Sequence, residues 1–311
     1  MTSSFFILLT DFSRIYIGEE VRLLKKQLAA KLEERSEQFV QRRKIEDEKI
    51  VKKQQLMQKR KAEIVKVMAT GKIESRERTD DHEQIYYHVH LKYFIRQGGH
   101  FYLEEEIENR KASIFKGAVF EDVEIPVNYP KEEEEAPLLR ERGYEQRAPY
   151  YYDRLRAVQY AERWWNDYNP AYKKFEVDCT NFISQCLHTG GAPMRGYPNP
   201  SKGWWHQYRS WSYSWAVANS LKRHLQTSTV GLRAREVRDP MQLKLGDVIC
   251  YDFQGDGRFD HNTIVTGKDA AGMPLVNAHT YNSRMRYWAY EDSSAYTPNI
   301  KYKMFTIVDD A

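Results

Sequence analysis

Residues 19–70 contain no Gly and no Pro and are rich in Glu, Lys, Gln, Arg, Leu and Ala, side chains that sit in helix interiors at low cost. Apolar positions recur loosely at Leu28, Leu32, Phe39, Ile50, Met57 and Ile64, without a strict heptad. The spacing predicts one continuous helix, about 75–80 Å long at about 1.5 Å per residue. Its apolar stripe docks on the strands that follow. Self-association of helix 19–70 through that stripe is the alternative, although a coiled coil wants a sustained seam. Tyr87, Val89, Leu91, Tyr93 and Ile95 then alternate with His88, His90 and Lys92, the period of a half-buried strand. Gly98-Gly99 predicts a turn and Phe101-Tyr102-Leu103 a return strand. Ile114 to Ile125 reads as one or two more.

Periodicity resumes in the second half. Ala157, Tyr160, Ala161, Trp164 and Trp165 fall at helical spacing, and so do Phe182, Ile183, Cys186 and Leu187. The runs Leu245–Asp252, Asp260–Thr266 and Pro274–Thr280 are separated by Gly- and Asp-rich turns. They predict an antiparallel meander packed on the second helix. Between the halves, Pro126 to Pro149 holds four prolines and the run Glu132–Glu135, which reads as a solvated linker. The expected fold class is α+β. A long helix plus small antiparallel sheet occupies 1–125, a linker 126–149, and a second domain 150–311.

Composition sharpens this division. Residues 1–150 carry 28 Lys/Arg and 28 Asp/Glu, residues 151–311 carry 20 and 16, and all seven Trp and all three Cys lie in the second part. Pockets and nucleophiles are therefore expected beyond residue 150. A net charge of +4 lacks the dense basic patch of a nucleic-acid binder. A mean hydropathy of −0.76, with no 18-residue apolar run, predicts no membrane span. The short apolar start Phe5–Leu9 has no Lys or Arg before it, and Asp11 follows. That is a poor leader, so the chain as written reads as cytoplasmic, with export by another route left open. Cys179, Cys186 and Cys250 are odd in number and form no CxxC, which argues against a disulfide scaffold or a zinc knuckle.

Candidate chemistry converges on Asp178-Cys179-Thr180-Asn181-Phe182-Ile183-Ser184-Gln185, closed by Gly190-Gly191. Asp178 is a natural N-cap and Gly190 a natural stop. Cys179 then falls in the first helical turn, where unpaired amides and the helix dipole favour a thiolate. Cys186 points into the core. A thiolate needs a proton partner and a third group to orient it. His261 begins one predicted strand, and Asn277 and His279 share a face of its neighbour. Asp252, Gln254, Asp256 and Gly257 resemble part of a calcium loop, but its twelfth position is Thr263 rather than Glu. A hairpin loop is the better reading, and no metal or cofactor is called for. His88 and His90 read as surface histidines. Trp204, Trp205, Trp211 and Trp215 read as core, or as an aromatic wall beside a groove.

Asp178–Gln185 with Gly190-Gly191, then Gly246–Asp252, Gly255–His261 and Leu275–Thr280, together resemble the putative amidase domain family, grouped with the NlpC-type and CHAP-type papain-like hydrolases. Tyr152-Asp153-Arg154 and Trp164–Pro170 also resemble it, so the likeness spans roughly 150–308. It implies a papain-like α+β fold with Cys179 as nucleophile and His261 as base. Where NlpC-type enzymes place a His, this chain has Asn277, so the third member is Asn277 or His279. The oxyanion would meet the Cys179 N–H. Trp204, Trp205 and Asp260 are the candidate substrate-binding residues. The implied substrate is a peptide or peptidoglycan-like amide of the bacterial cell wall. An inactive papain-like scaffold serving as an interaction protein is the competing function. Acyl transfer to an amine would use the same residues as hydrolysis.

Overall fold

Short turns with left-handed backbone organise the first unit. Asp80 (φ 51°), Gly98-Gly99 (53° and 84°) and Lys116-Gly117 (48° and 78°) each close a hairpin, as two-residue loops demand. The computed structural model describes residues 7–10, 19–41, 47–129 and 149–310. The chain divides into two units, Met1–Val127 with Glu291–Ser294, and Asn128–Tyr290 with Ala295–Ala311. Most of the expected linker, residues 130–148, lies outside the described residues.

In the first unit, β1 (Ile7–Thr10) pairs parallel with β2 (Ala62–Thr79), after α1 (Glu19–Val40) and α2 (Glu48–Lys59). β2 pairs antiparallel with β3 (His82–Gln97), β3 with β4 (His100–Phe115), and β4 with β5 (Ala118–Glu124). The expected single helix is thus two helices, and its last stretch is strand. Asp47 starts α2 by accepting the Ile50 N–H at 3.1 Å, and Lys61 turns the chain with φ 52°. From there pairing with β3 overrides helix propensity. Leu28, Leu32, Phe39, Ile50 and Met57 are buried, and Phe39 packs edge-on to Tyr93 at 5.1 Å. On the other face His90 bonds Glu105 (2.8 Å) and His88 bonds Asn109 (2.6 Å).

β4 turns Glu104, Glu106 and Glu108 inward. Burial alone would raise the Glu108 carboxyl, but Arg35, Lys49 and Arg110 together hold it far below the usual carboxylate range. Lys53, wholly buried, pairs with Glu104 and with Asp292 (2.8 Å) beneath the ring of Tyr93.

The second unit is an antiparallel sheet with helices. Its described elements are α3 (Arg154–Trp164), α4 (Cys179–Thr189), the two-residue pair β6 (His206–Gln207) and β7 (Ser210–Trp211), α5 (Tyr213–Ala216) and α6 (Ala218–Thr227). β8 (Arg233–Val237), β9 (Val248–Asp252), β10 (His261–Lys268), β11 (Pro274–Ala278), β12 (Ser283–Tyr287) and β13 (Lys301–Val308) follow. The sheet runs β12-β11-β10-β9-β13-β8, every neighbour antiparallel. The molecule is therefore mixed α and β with a large antiparallel sheet. Among the described residues no helix is long and apolar enough to cross a membrane.

Two local devices hold this unit in register. Arg154 donates to Asp247 (2.6 Å) and to the carbonyls of Leu245 and Ile307, while Tyr152 donates to the Gly246 carbonyl. The turn into β9 is thereby clamped to the start of α3. At the end of α4, Gly190 has an ordinary helical φ of −70° and Gly191 takes the left-handed one at 100°. Gly190 is needed for a different reason, since a Cβ there would run into the Tyr152 ring.

Candidate functional site

Cys179 through Leu187 of α4 are all buried, so the helix is seated from every side. Ser184 accepts the Trp204 indole N–H and donates to the Trp215 carbonyl, and Asn181 accepts the Trp215 indole N–H. Tyr160 donates to Gln185 at 2.6 Å. Trp204 and Trp205 are each 1% exposed. Both belong to the core, the first of the two readings, and Trp204 packs on α4 through its bond to Ser184.

The start of α4 differs from expectation. The Asp178 side chain does not cap the helix. Its Oδ1 accepts from the Phe175 N–H and Asn181 Nδ2, and its Oδ2 bonds His279 Nδ1 at 2.8 Å. The free amides go to Thr280 instead, whose Oγ1 accepts from Asp178 N–H (3.0 Å) and Cys179 N–H (3.1 Å). The Cys179 amide, expected to meet an oxyanion, is thus engaged. The Cys179 sulfur lies 3.8 Å from the Thr180 hydroxyl, and that hydroxyl accepts from Asn262 Nδ2 at 3.0 Å. Asn262 is the residue after His261, so α4 and the start of β10 meet beside the thiol.

The helix terminus was expected to lower the thiol pKa. Burial overrides it: Cys179 is pushed up to about 11. Burial also pushes Cys186 and Cys250 well above the ordinary thiol value.

His261 is 1% exposed and sits among the rings of Tyr129 (4.9 Å between centroids), Tyr251, Phe253 and Tyr290. Burial, aided by Arg286, drives its pKa down to about 3. Nε2 lies 3.4 Å from the Tyr290 hydroxyl, which also contacts Ser283 Oγ. Nδ1 is buried with no hydrogen-bond partner among the described residues. His261 borders Tyr129, whose phenol is raised by burial first and also feels the Cys179 sulfur electrostatically.

Neither expected third member reaches His261. Asn277 lies opposite Ile264, three residues along β10. Its Oδ1 accepts from Thr266 and the Met285 N–H, and its Nδ2 donates to Glu162. His279 is stacked on Phe182 at 3.9 Å and held between Asp178 and the Trp164 carbonyl. Both ring nitrogens are thus engaged, and His279 braces the start of α4 against the end of α3. The group on His261 is Tyr290. Asp260, half-buried, is pushed up to about 6 by burial and by Asp252 and Asp256, and its Oδ2 has no hydrogen-bond partner among the described residues. The Asp252 carboxylate accepts from the N–H groups of Gly255, Asp256 and Gly257, so it closes a hairpin loop from within.

Thr280 (φ 82°), Met285 (52°) and Tyr290 (56°) all have left-handed backbone. Such strain in non-glycine residues tends to gather at functional sites. The contacts that bring Tyr290, Thr280 and Tyr129 to the site cross 29, 101 and 132 positions in the chain.

Residues 151–305 match the family described as a putative amidase domain. The chain is 50% identical over 273 residues to the uncharacterized protein YhbB of Bacillus subtilis (strain 168), covering 83% of this chain and 86% of that one. It is 30% identical over 141 residues to the uncharacterized protein YjcM of the same organism, covering 42% of this chain and 31% of that one. No solved structure matches the chain.

Proposed function

The chain belongs to the putative amidase domain family, and on that premise we propose that it hydrolyses an amide bond with Cys179 as nucleophile and His261 as base, in a papain-like arrangement. The observation that carries this is the meeting of the α4 start and the β10 start at the Thr180–Asn262 bond beside the Cys179 sulfur, with the His261 Nδ1 lacking a hydrogen-bond partner among the described residues. His261 Nδ1 takes the thiol proton as sulfur bonds to the carbonyl carbon. The imidazolium then returns that proton to the departing amine nitrogen as the C–N bond breaks. Water, deprotonated by His261, splits the thioester and restores the thiol. Tyr290 holds Nε2 during both transfers, the role that Asn277 or His279 was expected to fill.

The substrate class is peptide-like, and cell-wall peptides are what the family resemblance implies. Products from muropeptides and from generic peptides, read by mass spectrometry, test this. Cys179→Ala should abolish turnover and leave the melting temperature nearly unchanged. Activity retained with a large loss of stability overturns the assignment. The complete burial of Cys179 favours one competing reading, an inactive scaffold. Under it, Cys179, Cys186 and Cys250 label equally slowly with iodoacetamide even when substrate is present.

A further inference from the structure

Tyr129 belongs to an irregular stretch between Pro126 and Pro130, yet it is only 8% exposed. Its ring stacks on Phe253 (5.1 Å, 13° between planes), tilts against His261 (4.9 Å) and meets Tyr281 edge-on (5.7 Å). The phenol lies within electrostatic reach of Cys179. The main chain beside it is gripped as well. The Asn128 N–H donates to the Tyr281 hydroxyl at 2.9 Å, and that hydroxyl donates to the Asn128 carbonyl at 3.3 Å. One side chain thus engages both polar groups of a backbone unit, which is how a peptide is held whatever its side chains. An aromatic side chain and its backbone therefore occupy the space beside His261, within electrostatic reach of Cys179.

We propose that the pocket formed by Phe253, His261 and Tyr281 is the substrate subsite, that it takes the aromatic side chain of a peptide-like amide, and that Tyr129 fills it in the resting protein. This rests on Cys179 and His261 being the reacting pair. Flat ring faces select another ring by stacking and edge contact. The backbone grip of Tyr281 would pass from Asn128 to the substrate residue. Substrate and Tyr129 exclude each other, so binding also decides when the thiol and imidazole meet solvent. Bacterial wall stem peptides carry no aromatic side chain, so the subsite directs the search toward Tyr- or Phe-bearing peptides.

The test uses the full-length chain with N-acetyltyrosinamide as probe and N-acetylalaninamide as control. Tyr129→Ala should raise iodoacetamide labelling of Cys179, mapped by peptide mass spectrometry, by about tenfold over wild type. Tyr129→Phe, which still fills the pocket, should not. N-acetyltyrosinamide should protect Cys179 in Tyr129→Ala by about tenfold more than the alanine amide. Should Tyr129→Ala fail to fold, Tyr281→Phe keeps the ring and removes only the backbone grip, and a smaller rise in Cys179 labelling is expected. Calorimetry on Cys179→Ala with Tyr129→Ala reads the same binding without turnover. Unchanged labelling in the folded variants, or equal protection by both amides, overturns the proposal. Binding of the tyrosine amide with no amide ever cleaved would instead sink the hydrolase assignment and leave the subsite standing. Turnover that ignores aromatic side chains would do the reverse.

Discussion

Thr280 shows how one side chain can organise the start of a helix. It is β-branched yet holds φ at 82°, a conformation with a steric cost of about 1–3 kcal/mol. In return its hydroxyl satisfies two amides at the start of α4, those of Asp178 and Cys179. Thr280→Val keeps the shape and the strain and removes only the hydroxyl. Leaving the two amides unpaired should destabilise the protein by about 1–3 kcal/mol each, read from urea denaturation. Thr280→Ser should restore the stability. Equal behaviour of the Val variant and wild type would remove Thr280 from that role. Cys179 and His261 stand out as candidates because each lies in a local motif, and Thr280 ends another, but its bonds to α4 are not written in that motif. Tyr290 and Tyr129 offer no such signal, because their contacts with His261 are made across 29 and 132 positions of chain.

At the scale of elements, alternation and turns were the readable part. Tyr87, Val89, Leu91, Tyr93 and Ile95 are all buried along β3, and Gly98-Gly99 closes the hairpin after it. Residues 62–70 misled, since a stretch of helix formers without Gly or Pro can still be a strand when a partner such as β3 pairs along it. Register decided the fate of Asn277. Placed opposite Ile264, it is too far along the strand to touch His261. Charge placement was equally invisible. The alternation of Glu104, Glu106 and Glu108 suggests a solvated face, yet all three are buried against cations supplied by α1, α2 and β4 itself. Lys53 is the most exposed to this logic. Truncating it leaves Glu104 and Asp292 buried without their shared cation. Lys53→Ala should therefore cost about 3–5 kcal/mol, measured as a fall in the urea midpoint. A loss below 1 kcal/mol would mean that water reaches the pair.

For the whole molecule, the histidines tie the state of the site to global stability. Burial lowers His261 to about 3 and His224 to about 4, against about 6.5 in an unfolded chain. Below pH 6.5 the unfolded chain therefore binds protons that these rings refuse in the folded state. Each histidine contributes stability that is complete above pH 6.5. It is lost as pH falls toward the folded value, at no more than about 1.4 kcal/mol per pH unit. Asp260 works in the opposite direction. Its folded pKa is raised to about 6, so on acidification it takes up a proton first in the folded state. The clean measurement is thus a difference between chains that share Asp260. Urea stability of wild type, His224→Leu and His261→Gln should be compared at pH 6.5, 5.5 and 4.5. Relative to wild type, each variant should gain about 1 kcal/mol from pH 6.5 to 5.5 and slightly more over the next unit. The two gains should add, because the rings share no partner. If the His261 variant tracks wild type while the His224 variant does not, the His261 ring is already hydrated in solution. Tyr129 would then not be covering it.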